Sequence, residues 1–241
     1  MSKEYDQALA AAFSATREVP LGNLTAWRAA IEQHLRPRPG LRVLDLGTGT
    51  GSWARAFVDW FDVEVVCVEP AAAMRERAVV VGMLAGSAEH IPLSDASVDA
   101  AWLSTVVHHL PDLPAAAVEL RRVIRPGGPV LVRSAFPGRC DRIGLFNYWP
   151  EALDVVAGWP TIQDVRNAFF RAGFVEFNLQ AVPQMTAASM RECMSGFSRE
   201  AHTPLRLIDD DAYARGLARA EQAATQDSGP VVDELDLLVV R

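Results

Sequence analysis

Apolar residues recur at two different periods along the chain. Spacings of three and four over residues 3–16 and 21–35 predict two helices, the second stopped by "RPRPG". Continuous apolar runs then alternate with helical ones. "RVLDLG", "VEVVCVEP", "VDAAWLS" and "GPVLVRSAF" read as strands, and "GSWARAFVDWF", "AAAMRERA" and "LPAAAVELRRVI" as the helices between them, with a short apolar run, "VVVGMLAG", after the second of these. Strand and helix taking turns predicts right-handed crossovers and a parallel sheet covered on both faces. Further on, "TIQDVRNAFFRAGF" has Thr161 as N-cap and Gly173 as stop, and "FVEFNLQAV" follows as a strand. Residues 187–224 read as helical, and "ELDLLVVR" closes the chain as a strand suited to antiparallel pairing with the one before it.

Length and charge narrow the classes. At 241 residues the chain is expected to form one domain. No run approaches the ~20 apolar residues of a membrane span, and Glu4 and Asp6 stand where a secretory leader would be basic, which predicts a cytoplasmic protein without a membrane partner. A net charge of −7 works against gathering a polyanion, so nucleic acid is not expected as a partner. Cys67, Cys140 and Cys193 lack the paired spacing of a zinc site and read as core thiols. The acids Asp209, Asp210 and Asp211 read as the start of a helix, so no metal is expected.

The stretch "VLDLGTGTGSW" carries the first chemical signal. Gly47, Gly49 and Gly51 fall between a strand and the next helix, at the strand end where open α/β sheets bind ligands. Missing side chains permit positive φ and let a ligand lie on the backbone. Glu69 ends the next strand, placed to accept hydrogen bonds from two ribose hydroxyls, the alternative being a solvated residue that caps the following helix. Asp45 lies inside an apolar strand, where a carboxylate needs a partner, either a ligand's amino group or nearby backbone N–H groups. The glycine spacing also fits a dinucleotide fingerprint, which leaves a nicotinamide dehydrogenase open at this point.

With "VEP", "GSAEHIPLSDASVDAAWLSTVVHHLPD" and "ELRRVIRPGGPVLV" following in order, the chain resembles the class I S-adenosylmethionine-dependent methyltransferases, in particular the small-molecule branch related to ubiquinone and menaquinone biosynthesis enzymes. The resemblance covers about residues 42–134. It implies a Rossmann-like α/β fold: a seven-stranded, mostly parallel sheet with an antiparallel C-terminal strand and helices on both faces. It also implies S-adenosylmethionine as cofactor and S-adenosylhomocysteine as product. Asp45, Gly47, Gly49 and Gly51 then hold the methionine portion, Glu69 the ribose, and Ala88 and Glu89 lie against adenine, with Ser104 at the sulfonium end and Thr48, Pro70 and Met74 among the cofactor contacts. Ser87 stands where the family often has an acid, so an adenine contact there falls to a hydroxyl or the backbone. Arg17, in "FSATREVP", either reaches the cofactor carboxylate or makes a surface salt bridge.

Methyl transfer needs an in-line nucleophile and, for some acceptors, removal of its proton. His108 and His109 follow a strand at its carboxyl end and are the candidate bases, with packing or capping as the alternative. Phe136, Phe146, Tyr148 and Trp149, with Trp159 close behind, suit a flat apolar acceptor, the alternative being the core of a helical lid. The expected organisation is a lid over residues 1–38, a cofactor-binding core over 39–135, substrate-recognition insertions over 136–230 and a final strand over 231–241. The reading is methyl transfer to oxygen or carbon of a hydrophobic, aromatic small molecule by a monomer or homodimer. Its alternative is a protein that holds the cofactor without transferring methyl groups.

Overall fold

A computed structural model of the chain describes residues 7, 9–11, 21–226 and 229–241. Arg17 and most of the first expected helix lie outside these residues. In chain order the regular elements are α1 (Thr25–Leu35), β1 (Arg42–Leu46), α2 (Ser52–Phe61), β2 (Glu64–Val68), α3 (Ala72–Arg75), β3 (Ala100–Ser104), α4 (Leu113–Val123) and β4 (Val130–Ser134). They continue with α5 (Leu145–Tyr148), α6 (Ala152–Ala157), α7 (Ile162–Arg171), β5 (Phe177–Ala187), α8 (Met190–Ser195), α9 (Thr203–Leu207), α10 (Asp210–Ala224) and β6 (Val231–Val240).

The strands form one sheet in the order β2-β1-β3-β4-β6-β5. The first four are parallel, and β6 runs antiparallel to both β4 and β5. This is the expected α/β layering with a sheet of six strands rather than seven. The apolar run at residues 79–86 does not extend the sheet beyond a single bridge between Val68 and Leu84. Two features interrupt it: Gly82 takes a φ of +77°, and Val81 is 98% exposed, with no neighbouring layer to cover it.

Apolar surface divides across the sheet. One face buries Leu44, Leu103, Leu120, Val132, Phe169 and Phe174 beneath α4 and α7, and the other buries Trp27, Ile31, Val43, Phe57, Trp102 and Leu131 beneath α1 and α2. The predicted caps form as chemistry requires. Thr161 and Asp164 make a reciprocal capping box at α7, and the Asp209 carboxylate accepts the Ala212 N–H at the start of α10.

One departure from regularity builds the site. β6 pairs with β4 only through Asp236–Val240 but with β5 along its whole length. The β5–β6 ribbon therefore rises past the carboxyl end of β4. A third apolar cluster, with Phe146, Trp149, Val156, Met190, Leu205 and Ala220, packs above that end as a helical cap. The cleft lies between cap and sheet.

Candidate active site

The turn after β1 is bare because it has to be. Gly47, Gly49 and Gly51 take φ values of +70°, +62° and +95°, a region where an L side chain costs roughly 1–2 kcal/mol. Gly47 N–H donates to the Val68 carbonyl at 2.8 Å, tying the turn to β2. The Thr48 hydroxyl donates to the Asp45 carbonyl at 2.6 Å, which folds the turn back over its own strand.

Two carboxyls sit beneath this turn. Glu69 is buried, and its oxygens accept the N–H groups of Gly49 and Ala71, each at 2.9 Å. Asp45 is also buried, and its Oδ2 has no hydrogen-bond partner among the described residues. Burial, and secondarily the Glu69 carboxylate, push the Asp45 carboxyl up to about 8, against a backbone N–H of Ala54. Burial also raises Glu69, opposed by its two N–H donors and by Arg75.

A cleft of about 540 Å³ opens from this turn toward the cap. Its cofactor-loop end is lined by Asp45, Gly47, Thr48, Gly49 and Trp53, its middle by Ser104, Thr105, His108 and Arg133, and its far end by Phe146, Tyr148, Trp149, Trp159, Met190 and Phe197. His108 stands on a short 3₁₀ turn after β3, and its ring stacks on Trp159 at 3.8 Å with planes 8° apart. Arg133 is buried, donates to Gln184 Oε1 at 2.8 Å and lies over the rings of Trp27 and Trp53. Asp233, on the raised ribbon, accepts the Gly144 N–H and the Thr186 hydroxyl, both at 2.7 Å.

Several expected site residues lie away from the cleft lining. Phe136 is fully buried in the main core and does not line the cleft. His109 does not line the cleft, although its ring lies 4.1 Å from that of His108. Glu69, Met74 and Ala88 are buried, Pro70 is exposed, and Gly51 approaches Val80. Ser87 pairs with His90 in an isolated bridge, and Glu89 accepts the Asp112 N–H at 3.4 Å. Arg133, Gln184, Thr186, Asp233 and His202 line the cleft without having been singled out in the sequence. Only Arg133 carries a signal there, as a cation set inside the apolar run "VLVRSAF".

Residues 44–132 match the family described as a methyltransferase domain. Over that stretch the chain resembles a methyltransferase domain. The matched stretch holds the glycine turn, both buried carboxyls and His108. The chain is 37% identical over 110 residues to a malonyl-[acyl-carrier protein] O-methyltransferase of Serratia marcescens, covering 44% of this chain and 43% of that protein. It is 35% identical over 116 residues to a demethylmenaquinone methyltransferase of Beutenbergia cavernae, covering 46% and 48%. The chain thus aligns with about half the length of these relatives. A solved structure described as a methyltransferase from an antibiotic biosynthesis pathway of Anabaena variabilis superposes with a TM-score of 0.68 at 20% identity, covering 89% of this chain and 96% of that one, a likeness of fold. The matched stretch ends before the cap and the β5–β6 ribbon begin.

Proposed function

We propose that the protein transfers a methyl group from S-adenosylmethionine to oxygen or carbon of a hydrophobic, aromatic small molecule. The observation that carries this reading is the Asp45 carboxyl, buried at the floor of the glycine turn with one oxygen lacking a partner among the described residues. A buried polar atom of that kind is costly unless a ligand completes it. A cationic amino group answers it and would favour the ionised carboxylate.

The residues present fit the cofactor. Asp45 and the N–H groups of the bare turn would hold its amino acid end, and Glu69, whose carboxylate keeps accepting capacity beyond its two N–H donors, would take the ribose hydroxyls. The chemistry supplied by bound S-adenosylmethionine is an electrophilic methyl group. The chain's own part is to orient an acceptor, exclude water and accept a proton where the acceptor has one to lose. His108 lines the middle of the cleft and is the base in this reading, its ring orientation fixed by Trp159. Phe146, Tyr148, Trp149 and Phe197 enclose the far end, which supports an apolar, flat acceptor. Of the acceptors named for the two relatives, the aromatic one suits this end better than an acyl group on a carrier protein.

The test pairs two measurements on the full chain. Calorimetric titration with S-adenosylhomocysteine should show binding, and incubation with S-adenosylmethionine and a panel of phenols and hydroquinones should release S-adenosylhomocysteine. Binding without release across the panel would favour a protein that holds the cofactor and transfers nothing. Failure to bind would remove the cofactor assignment itself.

A further inference from the structure

No residue of α10 lines the cleft, yet this helix fixes the ring at the cleft's far end. Glycine in a helix interior costs stability relative to alanine, so Gly216, in the middle of Asp210–Ala224, needs a physical reason. A Cβ at 216 would lie 2.0 Å from Trp149 Cδ1 and 2.1 Å from Nε1, where ordinary contact starts at 3.4 Å. Three residues earlier, the Tyr213 carbonyl accepts the Trp149 indole N–H at 3.0 Å. Three residues later, Arg219 donates to the Tyr148 carbonyl and pairs with Glu151 at 2.9 Å. Positions 213, 216 and 219 share one helix face. That face is a seat for the Tyr148–Trp149 segment.

The seat controls the cleft because Trp149 stands between the two. Its ring lies nearly parallel to Phe197, 5.0 Å away at 8°, and to Tyr213, 6.0 Å away at 20°. The Cδ1–Nε1 edge of the indole is the part that faces α10. A methyl group at 216 would therefore push the indole away from α10 and take room from the acceptor end.

We propose that Gly216 is a specificity-determining residue, setting through Trp149 the size of the flat acceptor the cleft admits. The proposal rests on the placement of the acceptor at the ring-lined end. Its test uses Gly216→Ala, Trp149→Phe and the double variant of the full chain. Phenol, 2-naphthol and 2-anthrol serve as binding probes at saturating S-adenosylhomocysteine. Gly216→Ala should lower the melting temperature in the parent background and not in Trp149→Phe. It should weaken the largest probe that the parent binds by about tenfold, a typical result of overpacking a formed site. Affinity for S-adenosylhomocysteine and for the smaller probes should hold, and the double variant should regain the larger one. A melting temperature raised by Gly216→Ala in both backgrounds overturns the seat. Coupled melting with unchanged probe binding overturns the control of acceptor size. If the parent binds S-adenosylhomocysteine but none of the probes, the acceptor lies elsewhere, and the placement fails together with the proposal.

Discussion

At the level of single residues, two carboxyls lie under a bare turn. Asp45 releases its proton near 8 in the folded chain and near the ordinary carboxyl value of about 3.9 when unfolded. Between those values the unfolded state holds fewer protons, so this group makes stability fall as pH rises toward 8. Asp45→Asn should flatten that slope in denaturant melts followed from pH 5 to 8. Binding of a cationic amino group should ionise Asp45, so S-adenosylhomocysteine titrated near pH 7 should release up to one proton. Calorimetry in buffers of different ionisation enthalpy reads that release, and Asp45→Asn should abolish it. Glu69→Ala should weaken the same ligand by roughly 1.5–3 kcal/mol, the range for hydrogen bonds to a charged group, and calorimetry measures it directly. For an acceptor hydroxyl of high pKa, His108→Ala should lower kcat by about 10²-fold or more. It should also remove the rising limb of the pH–rate profile. An unchanged profile would leave His108 as packing for Trp159. Asp45 and Glu69 were legible in the sequence because an acid inside or ending an apolar strand is conspicuous. Gln184 and Asp233 were not, because only pairing between β5 and β6 brings them to the cleft.

At the scale of elements the glycine turn carries the strongest constraint. A Cβ on Gly47 would lie 2.6 Å from Val106 Cγ2 with the backbone at φ +70°. Gly47→Ala should therefore combine left-handed strain of about 1–2 kcal/mol with overpacking of about 1–3 kcal/mol. Gly138 has a φ of +76° and open space around it, so Gly138→Ala isolates the strain alone. Denaturant melts should show the larger loss at Gly47, and equal losses would mean that Val106 simply moves aside. The alternating half of the chain was legible because branched runs and helical spacing do not resemble each other. The seventh strand implied by the resemblance does not form: the apolar run at residues 79–86 is turned by Gly82 after only three valines. The predicted strand "FVEFNLQAV" was also too short and began too early. β5 spans Phe177–Ala187 because β6 supplies a hydrogen-bonding partner past Val182, out to Ala187.

At the scale of the whole molecule, the stretch that matches the family and the ring-lined end of the cleft lie in different parts of the chain. The matched family stretch supplies the turn and His108, while the cap and the raised β5–β6 ribbon enclose the other end of one cleft. Phe136, expected among the acceptor contacts, packs instead in the core under α4 and α7, two residues past the end of β4. The central claim is that the glycine turn and its two carboxyls form a cofactor site. A crystal structure of the full chain grown with S-adenosylhomocysteine tests it most directly. The account predicts the ribose hydroxyls on the Glu69 carboxylate and the amino group within hydrogen-bond distance of Asp45 Oδ2. A nucleoside bound elsewhere, or Asp45 Oδ2 still without a partner in the complex, would contradict it.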